Sequence, residues 1–143
     1  MGDMKIDERA LIELAYEARE RAYTPYSGFQ VGAALLTKAG KVYFGCNIEN
    51  ASYTPTNCAE RTAIFTAVSE GEREFAAIAV VGGKAGTRTG DTCAPCGVCR
   101  QVMREFCRPK EFRVLLEDGK GGILNLSLEE ILPLGFGPEN LGK

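Results

Sequence analysis

No histidine occurs among the 143 residues, and that absence narrows the chemistry more than any other feature of the composition. Without imidazole the usual general base is missing, so acid–base work falls to Glu, Asp, Lys, Tyr or Cys. A nucleophilic cysteine served by a histidine base is excluded, and any zinc must be held by thiolates, with or without a carboxylate. Excess positive charge is lacking too. A net charge of −2 and a pI near 5.3 give no sign of a basic patch for tight binding to a nucleic-acid backbone. No apolar run approaches the ~20 residues that span a bilayer. The opening residues Met1-Gly2-Asp3-Met4-Lys5-Ile6-Asp7 lack the basic-then-apolar pattern of a signal peptide. A cytoplasmic protein with no membrane or nucleic-acid partner is expected.

What is present is ordinary in bulk and unusual in detail. Hydrophobic residues at 45% and charged residues at 25% are globular values, and the length fits one domain, 1–143, with a core of its own. The six cysteines stand at 46, 58, 93, 96, 99 and 107. A chain this long and core-rich does not need disulfides, so clustered cysteines point to a metal or redox site in a reducing compartment.

Residues 7–22 place Leu11, Leu14, Ala15 and Ala18 on one stripe of an amphipathic helix, which Thr24-Pro25-Tyr26-Ser27-Gly28 breaks. A buried strand is expected over 30–37, then a hairpin turn at Lys38-Ala39-Gly40-Lys41 and a second strand over 42–46. A polar loop leads to Thr56-Asn57-Cys58-Ala59-Glu60-Arg61. Asn57 is a favoured N-cap type, and Ile64, Ala67 and Val68 keep helical spacing. Residues 76–82, apolar on both faces, read as a central strand, and the Gly- and Thr-rich stretch 83–92 as a mobile surface loop. Pro95 fits the first position of a helix running to about Cys107. Strands are expected over 112–116 and 122–126, and Ser127 with Glu130 makes a capping box. The apolar residues Leu134, Phe136 and Leu141 suggest that the tail docks. The order of elements gives an α/β domain with a mixed sheet and helices on its faces.

The chemistry gathers at two expected helix starts. In the first turn of a helix, unpaired N–H groups and the dipole favour an anion, hence a thiolate at Cys58. Cys96-Gly97-Val98-Cys99 puts two sulfurs on one side of a first turn, able to share a tetrahedral metal at ~2.3 Å each. Cys58 can supply a third. Three protein ligands leave one position open, the catalytic rather than the structural pattern. Glu60, two residues beyond a ligand, is placed to take and return protons of an activated water. Zinc with three thiolates carries net −1, and Arg61 is placed to hydrogen-bond a ligand sulfur and withdraw part of that charge.

Cys58-Ala59-Glu60 followed by Pro95-Cys96-Gly97-Val98-Cys99 resembles the zinc nucleoside deaminases, with Cys where the wider superfamily has His. Tyr26-Ser27-Gly28-Phe29-Gln30-Val31-Gly32-Ala33-Ala34, Asn47-Ile48-Glu49-Asn50-Ala51-Ser52-Tyr53 and Arg100-Gln101 narrow the likeness to the small, homotetrameric cytidine deaminases. The resemblance covers roughly residues 6–136. It implies a three-layer α-β-α fold on a mixed five-stranded sheet and one zinc per subunit on Cys58, Cys96 and Cys99. The implied reaction converts cytidine and 2′-deoxycytidine to uridine and 2′-deoxyuridine plus ammonia, in pyrimidine salvage. Zinc-bound hydroxide would attack C4 while Glu60 shuttles protons. Asn47 and Glu49 would grip the ribose 3′-hydroxyl, the Ala59 N–H would meet the base's O2, and Phe29 would pack on the ring. Tyr53 and Phe136 match positions that cross subunit boundaries in a homotetramer.

Plainer readings stand beside these. Cys93-Ala94-Pro95-Cys96 is also a C-x-x-C, so a redox pair or a fourth, structural zinc ligand is open. Cys46 and Cys107 read as small buried residues, Phe29 and Phe136 taken alone as core, and Asn47 and Glu49 as turn residues. A deaminase of other cytosine-containing substrates, or a zinc-stabilised binding module without catalysis, are the alternative functions.

Overall fold

In a computed structural model, which describes residues 5–143, burial alternates along the strands with period two and sorts the core into two halves. Ala33, Leu35, Ile78, Val80, Val114 and Leu116 face one way, and Ala34, Ala77, Ala79, Val81 and Leu115 the other. Successive strand side chains point to opposite faces, so a sheet buried on both faces reads as near-continuous apolar runs. Five strands, β1 (Phe29–Thr37), β2 (Val42–Cys46), β3 (Phe75–Lys84), β4 (Arg113–Glu117) and β5 (Ile123–Ser127), form that sheet in the order β2-β1-β3-β4-β5. Of these, β3 and β4 pair in parallel; the other neighbours are antiparallel. Helix α1 (Glu8–Arg19) covers one face, while α2 (Ala59–Ser69), α3 (Gly97–Phe106) and the short α4 (Leu128–Ile131) border the core on the other. The mixed five-stranded, three-layer α/β arrangement is the expected one. Of the opening stretch read for a leader, residues 1–4 lie outside the described residues.

The helix ends depart from expectation in instructive ways. Asp7 caps α1 by accepting from the Ala10 N–H at 3.0 Å, but the helix stops at Arg19 rather than near residue 22. Arg21 and Ala22 make tighter bonds to Ala18 and Arg19, and the Tyr23 N–H is drawn to the Asn47 carbonyl at 3.0 Å. Asn57 does not cap α2. Its backbone pairs with Ile48, its side chain donates to Thr62, and Cys58 takes the N-cap. Likewise Cys96, not a residue before Pro95, is the N-cap of α3, so Pro95 precedes the helix instead of opening it. The Ser127–Glu130 capping box is present as expected.

Two glycines let the helices reach the sheet. A Cβ on Gly32 would lie 2.0 Å from the Ala15 carbonyl of α1, and one on Gly45 would lie 2.1 Å from the Ala59 carbonyl of α2. Those distances leave no room for a methyl group, so α2 sits where it does because β2 offers bare backbone at Gly45. The stretch after β3 also differs from a free loop. β3 runs on to Lys84, and Thr92 and Gly90 bond to the end of β4 and to Gly119.

The tail docks, but through polar groups. Gln101 donates to the Phe136 carbonyl at 2.8 Å and Arg104 pairs with Glu139, while Leu134, Phe136 and Leu141 stay exposed.

Replacing Gly45 by Ala is expected to lower unfolding free energy by about 1–3 kcal/mol, the usual range for overpacking a tight site. Urea denaturation of Gly45→Ala against the parent measures it. An unchanged midpoint would show that α2 can move away from β2 without loss.

Candidate active site

The loop that delivers Cys58 is held as a strand-like ribbon. Ile48 bridges to Asn57 on one side and Tyr23 on the other, which fixes the chain entering α2. On the far side of β3, the chain turns back to place Cys96 at the N-cap of α3. Two helices therefore begin at the same place with a cysteine as first residue. The N-cap sulfurs of Cys58 and Cys96 stand 3.8 Å apart, and Cys96 and Cys99 stand 3.5 Å apart. All three sulfurs lie within 4.8 Å of one another. Ligands at about 2.3 Å on a tetrahedron are separated by roughly 3.8 Å, so the thiols fit a single zinc ion without rearrangement. Among the described residues they are the one such group of metal-binding type.

The electrostatics suit a cation at that point. The Cys58 thiol is pulled down to about 5, first by the hydrogen bond from the Cys99 thiol, against the cost of burial, then by Arg61 and Cys96. Cys99 is pushed up, because it donates that bond and is desolvated. Arg61 donates to Cys58 Sγ at 3.2 Å, and its Nε is buried with no hydrogen-bond partner. A half-buried guanidinium so placed brings positive charge to a cluster that becomes negative when its thiols ionise. Glu60, in the first turn of α2, is only 3% exposed. Burial pushes its carboxyl up to about 7, opposed by the helix-start N–H and assisted by the charge on Cys58.

The remaining residues singled out from the sequence fall into three places. Asn47 is locked beside Phe29: its amide donates to the Phe29 carbonyl and accepts from the Val31 N–H, both at 2.9 Å. Glu49 accepts from the Tyr26 and Ser27 N–H groups at 3.0 and 3.1 Å and from the Ser27 hydroxyl. The hydroxyl and these N–H groups hold its carboxyl below the usual range. Glu49 and Tyr53 line a cleft of about 300 Å³ with Tyr26, Ser27 and Thr56, the last two residues ahead of Cys58. Phe29 packs close to Gly82 and leaves part of its ring exposed. Ala59 is fully buried, its carbonyl close against Gly45. Phe136 joins none of these groups; it stands exposed on the tail, over α3.

Sequence reasoning missed Ser27 as the support of Glu49, although a Ser in the turn before Phe29 is a common local hydrogen-bonder. Cys93 is not part of the sulfur cluster. Its Sγ fills the space above Gly82, 2.6 Å from where a Cβ would stand, and burial raises its pKa to about 11. Cys107 is buried and Cys46 half-buried, and burial raises both thiols.

A thiol cradle beside a buried carboxyl near neutrality, at helix starts over a mixed sheet, defines a metal-dependent hydrolytic centre of the zinc type. Known proteins agree with that class. The sequence profile described as "Cytidine and deoxycytidylate deaminase zinc-binding region" matches residues 5–115. A cytidine deaminase of Halalkalibacterium halodurans is 52% identical over 136 residues, covering 95% of this chain and 98% of that protein. Among solved structures, the Burkholderia pseudomallei cytidine deaminase superposes with a TM-score of 0.81 at 53% identity, covering 92% of this chain and all of that one. The Mycobacterium tuberculosis enzyme gives 0.80 at 37% identity, with 94% of this chain and all of that one covered. The chain belongs to the cytidine and deoxycytidylate deaminase family. Its metal is zinc, for which the three-thiol cluster is a fitting donor set.

In the metal-free protein, Cys58 is expected to be alkylated by iodoacetamide at pH 6.5, well above its pKa of about 5. Cys93, protonated up to about 11, is expected to stay unlabelled. Peptide mass mapping measures the ratio, and equal labelling of the two would contradict this distribution of charge.

Proposed function

We propose that the chain catalyses the hydrolytic deamination of cytidine and 2′-deoxycytidine, giving uridine and 2′-deoxyuridine with release of ammonia. The observation that carries this is Glu60: a buried carboxyl with a pKa of about 7, two residues from one of three converging thiols. Cys58, Cys96 and Cys99 hold the zinc. When bound, zinc supplies the Lewis acidity that makes a water nucleophilic near neutral pH.

Glu60 manages the protons. As the water oxygen bonds to C4, the carboxylate takes one of its protons and passes it to ring N3; it then carries that oxygen's remaining proton to the amino group, so that the C4–N bond breaks, the C4 carbonyl forms and ammonia departs. A carboxyl near 7 is suited to both directions of transfer, since the best acid–base catalyst titrates near the working pH. Arg61, bonded to Cys58 Sγ, draws charge from the ligand set and so keeps the metal electrophilic. The Ala59 N–H, at the helix start, meets the base's O2.

The sugar is held by Asn47 and Glu49. Ser27 and the Tyr26 N–H keep Glu49 charged and oriented, ready to accept from the ribose 3′-hydroxyl. The Asn47 amide has a second N–H beyond the one spent on Phe29. A grip on the 3′-hydroxyl alone serves both nucleosides. Phe29 presents the exposed part of its ring to the base.

The assembly we propose is a homotetramer with sites at subunit boundaries. Tyr53 at 77% and Phe136 at 58% exposed are large apolar side chains left open on the single chain, and that exposure supports the reading. The two cores share one sheet, which supports taking 1–143 as a single catalytic domain. Ligand thiols must stay reduced, which supports a cytoplasmic setting, and turning over free pyrimidine nucleosides would place the chain in pyrimidine salvage.

Replacing Glu60 by Ala is expected to cut turnover by about 10²–10⁴, the usual worth of a general acid–base group, while zinc content stays at the parent level. The fall in ultraviolet absorbance on deamination and metal analysis of the same sample measure both. A Glu60→Ala protein as active as the parent would remove Glu60 from the proton transfers, and a parent inert on both nucleosides would overturn the reading in favour of a zinc-held binding module.

A further inference from the structure

A cavity of about 420 Å³ between α1 and the chain after β3 contains none of the residues assigned to the site. Its walls carry an interaction network without a role in the chemistry above. Residues 85–95 cross from the end of β3 to the Cys96 N-cap, and so carry the Cys96–Cys99 ligand pair. That crossing is held from the opposite face of the sheet. Arg19, only 6% exposed, donates to the Lys84 carbonyl at 3.0 Å and to the Thr87 carbonyl. Arg88 stacks over the Tyr16 ring, 3.7 Å from its centroid, and pairs with Glu13. The Tyr16 hydroxyl donates to Glu117, a buried carboxylate at the end of β4. Thr92 closes the circuit by donating to the Glu117 carbonyl at 2.6 Å.

The strengths of these contacts differ. The Arg88–Glu13 pair is half exposed on both sides and by itself contributes little. The contacts of Arg19 and Tyr16 are at least partly buried, where an unmet partner is costly. Burial and Glu117 push Tyr16 up to about 12, so its hydroxyl remains a donor at neutral pH. Holding a segment of irregular chain in one conformation costs backbone entropy of about 1–2 kcal/mol per residue. Contacts that hold it before the metal arrives leave less of that cost to be met by metal binding.

We propose that Tyr16, Arg19 and Arg88 are positioning residues for the zinc site: they brace residues 85–95 and thereby keep Cys96 and Cys99 in place opposite Cys58. The proposal rests on the reading of those cysteines as the zinc ligands. The brace acts on retention of zinc. It touches neither substrate nor the reacting atoms.

The experiment follows zinc release from the loaded enzyme into an excess of a chromogenic chelator, well below the unfolding temperature. Arg19→Met removes both donors to the Lys84 and Thr87 carbonyls; Arg88→Ala removes the stacked cation and leaves the buried contacts alone. Leu126→Ala, which thins the main core on β5 away from the crossing, serves as a control for general destabilisation. Arg19→Met is expected to release zinc about tenfold faster than the parent, since partly buried carbonyls lose their donor, and Arg88→Ala about two- to fivefold faster, since only the stacked cation is lost. Their kcat per bound zinc is expected to match the parent. Release as slow as the parent's, or no faster than from Leu126→Ala at a matched loss of Tm, would overturn the brace. A parent that takes up no zinc would instead contradict the ligand assignment beneath it.

Discussion

Three sulfurs within 4.8 Å of one another cannot all ionise unless positive charge stands among them, and the rest of the structure is arranged to bring that about. Like charges at such separations repel strongly in a partly buried setting. The chain answers with two helix N-termini, whose free N–H groups and dipoles favour negative charge, and with the half-buried guanidinium of Arg61, bonded to Cys58 Sγ. The two N-cap cysteines have no side-chain capping bond. Their sulfurs face each other across the cluster, which leaves the metal to complete it.

That requirement reaches into the sheet. Both ligand-bearing helices must start at one point above the strand ends, and α2 reaches it because Gly45 lets its first turn lie against bare backbone. Glu60 is buried in the first turn of that same helix, and burial is the main reason its carboxyl moves to about 7. The second ligand pair comes from the other side of β3 over an irregular crossing, and for that reason its contacts with α1 bear on the metal.

Much of this was legible in the residues. The hairpin at 38–41, the central apolar strand and the Ser127–Glu130 box carry local signals strong enough to survive folding. The Cys58, Cys96 and Cys99 set followed from spacing and the absence of histidine. Asn47 and Glu49 are held by partners that only the folded chain brings near: Phe29 and Val31 for Asn47, Tyr26 and Ser27 for Glu49. The misreadings have a common cause. Asn57 is a better cap by type than Cys58, yet pairing with Ile48 claims its backbone. Residues 83–92 read as loop by composition, yet β3 continues to Lys84 and Arg19, far back in the sequence on α1, bonds to the Lys84 and Thr87 carbonyls; no local pattern announces the meeting. The tail was expected to dock by its apolar residues and docks instead by Gln101 and Arg104, leaving Phe136 outward. Local chemistry is visible in a sequence; long-range partners become visible in the fold.

The central claim is that one zinc, held by this three-thiol cradle, makes the chain a deaminase. The most direct measurement is to strip the metal, return zinc in substoichiometric steps, and follow cytidine deamination after each addition. Activity should be absent from the stripped protein, rise in proportion to added zinc, and level off at one zinc per chain. Turnover without zinc, or saturation far from one per chain, would contradict the account.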